Sequence, residues 1–187
     1  MSMATTRRAT LSDLYREEGK AELIGGRIVR FMASGFLPGR VAGNIYFSLR
    51  IYERAAKLGL AFGDGIGYAV PPLPSGRESF SPHVSFYSGA APANLMRFIE
   101  GTATLGVEVR SENDYGPAAE AALATKRSDY FAAGTLVVWD VDPQAETIAV
   151  CRASDPDNPT IFRRGEIANA DPATPGWTIA VDEVFAP

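Results

Sequence analysis

The chain has 187 residues, 46% of them hydrophobic and 21% charged, which predicts one domain over residues 1–187 with a core large enough to need no covalent staples. A formal net charge of −4 argues against binding through a broad basic face, because proteins that rely on one are normally cationic. With no apolar run near the ~20 residues that span a bilayer, no signal-peptide core in MSMATTRRAT and a single cysteine, Cys151, the expectation is a cytoplasmic, reduced protein with no membrane partner.

In chain order, ATLSDLYREEG predicts a short helix, capped by Thr10 and Asp13 and ended by Gly19. AELIGGRIVRF follows as a hairpin turning at Gly25–Gly26. Val41, Ile45, Leu49, Tyr52 and Ala56 recur at three- and four-residue steps, predicting a helix over 40–58 that stops at Gly59. Residues 60–89 read as strands joined by the Pro/Gly-rich turn PPLPSGRES, and ANLMRFIE as a short helix. TLGVEVR is a strand, and Gly116–Pro117 opens an alanine-rich helix that closes at Gly134. LVVWDVD and TIAVCRA pair as strands, a polar loop follows, and GWTIAVDEVF ends the chain. The strand–helix–strand run from Thr104 to Asp140 suits a right-handed parallel crossover, so the class is α/β with a mixed sheet.

Three ionisable residues interrupt apolar patterns. Glu108 stands between valines in LGVEVR; by alternation Val107 and Val109 face one side while Glu108 and Arg110 share the other. A lone buried carboxylate costs several kcal/mol, so Glu108 needs a cation, a metal or water, and a wet strand face would supply the last. Lys126 shares one helix face with Leu123 and Tyr130, where its stem could also lie along the core edge with the ammonium in water. Glu22 lies on the first arm of the hairpin. A reaction that needs several carboxylates and a lysine around a metal, such as phosphodiester hydrolysis, would account for all three.

The segments ELIGGRIV, VEVRSEND, KRSDYFAAG and LVVWDVDP, in this order and spacing, resemble the PD-(D/E)XK nuclease superfamily, and more closely its Uma-type family of restriction-endonuclease relatives. The similarity runs from LSDLYREEGKAELIGGRIV to GWTIAVDEVF. It implies a restriction-endonuclease-like α/β fold: a mixed β-sheet flanked by helices, with an N-terminal helix and β-hairpin. It also implies metal-dependent hydrolysis of phosphodiesters, with DNA as the partner acted on, and often a homodimer. Residue by residue, Glu22 matches the family's N-terminal acidic residue and Glu108 the glutamate of the (D/E)XK element. The superfamily usually places lysine where Arg110 stands; in the Uma-type family it has moved to the following helix, where Lys126 fits, so Lys126 is expected as the site cation with Arg110 its rival.

The only histidine, His83, falls in SFSPHVSFY, which matches the family's PD element with His83 in place of the aspartate. The resemblance therefore implies metal ligands Glu22, His83 and Glu108, with Glu108 and Lys126 catalytic. Mg²⁺ is the family's cation, but an imidazole nitrogen suits Mn²⁺ or Zn²⁺ better than a hard Mg²⁺. Two other classes stay open. One is a catalytically silent module that binds nucleic acid or a partner, marked by an open basic groove. The other is a structural dimeric protein, marked by a direct Glu108–Lys126 pair sealed from solvent.

Overall fold

A computed structural model describes residues 7–187, so most of MSMATTRRAT lies outside the described residues. In chain order the elements are α1 (Leu11–Leu14), β1 (Ala21–Ile24), β2 (Arg27–Arg30), α2 (Phe36–Ala56), β3 (Leu60–Phe62), β4 (Tyr68–Ala69), β5 (Ser79–Phe80) and β6 (Val84–Tyr87). They continue as β7 (Ile99–Glu100), β8 (Leu105–Val109), α3 (Pro117–Ala132), β9 (Val137–Asp142), β10 (Thr147–Arg152), β11 (Asp155–Arg163), β12 (Ile167–Asn169), β13 (Thr178–Ala180) and α4 (Val181–Val184). The main sheet has the order β11-β10-β9-β8-β6-β3, with β8 and β9 parallel and the other pairs antiparallel. The fold is thus mixed α/β, with a central mixed sheet flanked by helices.

Alternation along the central strands sorts their side chains between two helical layers. Val84, Phe86, Leu105, Val107, Val109, Val137, Trp139 and Val141 form one core with Val41, Ala42, Ile45 and Leu49 of α2. Val138 projects to the other side and packs with Tyr130 of α3, Tyr68 and Phe80. Gly106 belongs to that second face because Tyr130 lies across it: a Cβ there would stand 3.3 Å from the ring. Glu108, two residues on, shares this face. The parallel β8–α3–β9 unit thereby puts helix α3 over the one acidic residue of β8.

Several expected elements are present with their expected chemistry. Thr10 and Asp13 form a reciprocal capping box, although α1 ends at Leu14 rather than near Gly19. Gly25 and Gly26 both adopt positive φ, 60° and 71°, as a two-residue hairpin turn with the right twist requires. Gly116 caps α3, with Pro117 in its first turn.

Three expectations are corrected. Helix α2 begins at Phe36, four residues before Arg40, because Pro38 is tolerated in a first turn; it ends at Ala56 on a left-handed Lys57, ahead of Gly59. ANLMRFIE is not a helix: Leu95 and Met96 are exposed, so no apolar face drives one, and Asn94 Oδ1 accepts the Met96 N–H in a local turn. The expected polar loop after β10 is strand β11, whose Pro156 and Pro159 are admissible because it is the sheet's edge.

Candidate active site

Glu22 sits in β1, the inner arm of the hairpin, and is fully buried. Its Oε1 accepts the Ser81 N–H at 2.9 Å, which ties the hairpin to the segment leading into Pro82–His83. Its Oε2 meets the guanidinium of Arg77. Extending the β6–β8 register by one residue past Val84↔Val107 puts His83 opposite Glu108. Glu108 is only 7% exposed, so it does not lie on a wet strand face. Tyr130 donates its hydroxyl to Glu108 Oε1 at 2.7 Å, and the Tyr130 ring stacks on Phe80.

Lys126 joins the two carboxylates. Its Nζ lies 2.8 Å from Glu108 Oε1 and 3.1 Å from Glu22 Oε1. The Leu123–Lys126–Tyr130 spacing on α3 delivers this: Leu123, Lys126 and Tyr130 line one narrow cleft with Glu108, Arg127, Val138 and Asp140. Arg110 goes elsewhere. Its Nε and Nη2 each lie 2.7 Å from an oxygen of Asp140, the register partner of Glu108 on β9, and it also pairs with Glu120. The cation at Glu22 and Glu108 is therefore Lys126.

His83 Nδ1 accepts the Val109 N–H at 3.2 Å and stands 3.3 Å from Glu108 Oε2. The Val109 N–H and the Glu108 carboxylate thus meet the same ring nitrogen.

Burial alone would raise the Glu108 carboxyl, but the Lys126 ammonium and His83 together outweigh it and hold the group well below its usual 4.5. Burial would likewise lower Lys126, and the two glutamates outweigh it, keeping the amine above its usual 10.5. Burial, reinforced by Glu108 and Glu22, pushes the Tyr130 hydroxyl well above 10 and keeps it a donor. A depressed carboxyl stabilises above its unfolded value and loses that contribution as pH falls through the folded one; a raised amine does the converse. The pair therefore holds fully between about pH 4.5 and 10.5.

Two residues of the cluster had no role in the sequence reading. Arg77, 7% exposed, contacts Glu22 and also gives its Nε to Asp129 Oδ2 at 3.0 Å. Ser75 donates to the same Asp129 oxygen at 2.8 Å. Asp129 could have been found, since it lies three residues after Lys126 in KRSDYF and so near it on the helix. Arg77 carried no signal, because it sits in a turn where an arginine normally meets solvent.

Four buried carboxylates, Glu22, Glu108, Asp129 and Asp140, are met by four cations, Arg77, Lys126, Arg110 and Arg127, so the charges of the cluster are matched in number. Among the described residues no three His, Cys, Asp or Glu side chains form a ready-made metal cage, because Lys126 already bridges Glu22 and Glu108. The two carboxylates are arranged around that ammonium.

This fold is restriction-endonuclease-like. The structure matches the crystal structure of a "putative nuclease belonging to DUF820" from Anabaena variabilis with a TM-score of 0.73, covering 94% of this chain and 97% of that one. At 15% identity the likeness is one of fold. The sequence matches the Uma2 family model, described as "putative restriction endonuclease", over residues 8–182, and the chain belongs to that family. No curated protein shows significant similarity to it. No helix among the described residues is long and apolar enough to cross a membrane.

Proposed function

We propose that the protein is a metal-dependent nuclease of the PD-(D/E)XK type, acting on phosphodiester bonds in DNA, with its metal preference altered by His83. The observation that carries this reading is the convergence of Glu22, His83, Glu108 and Lys126, from separate parts of the chain, into one run of polar contacts. The direct Glu108–Lys126 pair is also what a purely structural module would contain. What favours the nuclease reading over such a module is the family match together with His83, whose ring nitrogen stands 3.3 Å from the same Glu108 carboxylate.

Glu22, Glu108 and His83 are the residues that would hold a divalent cation, whose chemistry there is to draw a nucleophile from water at neutral pH and offset phosphate charge. Carboxylate oxygens with an imidazole nitrogen form a donor set suited to Mn²⁺ or Zn²⁺, which His83 Nδ1 would join by giving up the Val109 N–H. With that cation bound, Lys126 would be free to turn its three N–H donors to the phosphate oxygens. Tyr130 keeps Glu108 oriented through the hydroxyl bond. Arg77 and the Ser81 N–H hold Glu22 independently of the lysine.

Cleavage of single-stranded DNA and of plasmid across a panel of divalent metals tests the reading. The parent is expected to cleave with Mn²⁺ and much less with Mg²⁺. His83→Asp returns a hard oxygen and a negative charge, and should shift both cleavage and calorimetric affinity toward Mg²⁺. Identical metal preference in the two proteins would make His83 a strand residue that merely satisfies the Val109 N–H.

A further inference from the structure

The face of the hairpin that carries Glu22 continues outward past the site. Residues opposite one another in an antiparallel pair project to the same side. Glu22 is opposite Val29 and Ile24 is opposite Arg27, while the Phe31 N–H bonds the Lys20 carbonyl at 2.9 Å and extends the ladder. Arg27, Val29 and Phe31 therefore form one row on the Glu22 side, and all three are exposed. The Phe31 ring centroid lies 5.7 Å from Lys126 Nζ, and the ring is 40% open to solvent. Directly after it in the chain, Met32 is 93% exposed, and Phe36 is 87% exposed at the start of α2.

An aromatic ring left in water over the site lysine is placed for a flat partner. A nucleic-acid base provides one, and stacking tolerates any base because every base has a π-face. Charge favours the same occupant. Among the described residues no carboxylate pairs with Arg27, so its guanidinium is free for a phosphate. The chain as a whole is net negative, so backbone attraction alone cannot carry its affinity for nucleic acid. A stacking contact can. Paired bases in a duplex hide their faces from such a ring.

We propose that Phe31 is a stacking platform for an unpaired base beside the phosphate that meets Lys126, so that the substrate class is single-stranded nucleic acid. The proposal rests on the nuclease reading of the site and deepens it.

Binding without divalent metal separates the two. Trp139 and Trp177 are both buried, so the indole introduced by Phe31→Trp is an accessible reporter against a quiet background. The full chain carrying Phe31→Trp is titrated in chelator with a single-stranded oligonucleotide and with the matching duplex. The expected result is fluorescence quenching by the single strand at parent-like affinity, with little response to duplex. Phe31→Ala and Phe31→Leu should bind the single strand about fivefold to a hundredfold more weakly, with unchanged circular dichroism. Equal quenching by both forms, no quenching, or unchanged affinity in Phe31→Ala would overturn the platform. Nicking of plasmid alongside any of those three results would leave the nuclease reading standing without it. Selective quenching with no cleavage in any metal would uphold the platform and reject the nuclease reading.

Discussion

Lys126→Met should reduce strand cleavage by ~10²–10³-fold, the usual loss for one donor aimed at developing charge, while tightening Mn²⁺ binding. The two effects go in opposite directions because the ammonium has two positions to serve. At rest it lies 2.8 and 3.1 Å from the carboxylates and competes with any other cation for them. A unit charge at about 4 Å is worth ~4 kcal/mol at an effective dielectric of 20, so removing the competitor should tighten the metal by tenfold or more even after solvent screening. Without metal the variant loses ~3 kcal/mol of stability, since two buried carboxylates lose their shared partner. Mn²⁺ at a hundred times its dissociation constant should return ~2.7 kcal/mol. Thermal melts with and without Mn²⁺, beside calorimetry and nicking, read all three. Weaker metal binding in Lys126→Met would mean that the lysine supports the metal rather than standing in for it.

Arg77→Met should be the most damaging change to the fold, by about 3–5 kcal/mol, or roughly 6–20 °C in melting temperature for a chain this size. Its guanidinium serves Glu22 and Asp129 at once, and all three side chains are nearly excluded from water. Arg77→Lys should recover only part of the loss, because a single ammonium cannot reproduce a fork that reaches two separate carboxylates. Removing Asp129 as well, by Asp129→Asn, should cost less than the sum of the two single changes. Strict additivity in urea unfolding would show that Arg77 and Asp129 are not energetically coupled.

The sequence discloses this molecule unevenly, and the unevenness has physical causes. Local signals read well: the Thr10–Asp13 box, the Gly25–Gly26 turn and the Gly116–Pro117 start each depend on a few adjacent residues. The β8–α3–β9 unit was legible from apolar period and turn signals, whereas the meeting of Lys126 with Glu108 was implied only by the family resemblance. ANLMRFIE misled because its helical propensity had no buried face to reward it. Strand β11 was hidden by its prolines, which an edge position tolerates and a central one would not. Arg77 was out of reach for a different reason: it is buried only because the hairpin, 55 residues earlier, docks Glu22 onto its turn. His83 stood out in the sequence as a lone imidazole after a proline, yet its contact with the Val109 N–H depends on β8 running on beside it.

Glu108 and its neighbours are proposed to bind a divalent cation. Calorimetric titration of Mn²⁺ into the parent and into Glu108→Gln tests it most directly, because glutamine keeps the shape and can still accept from Tyr130 while removing the charge. Binding near one ion per chain in the parent, lost in Glu108→Gln, is the predicted result. No binding in the parent, or the same binding in both proteins, would contradict it.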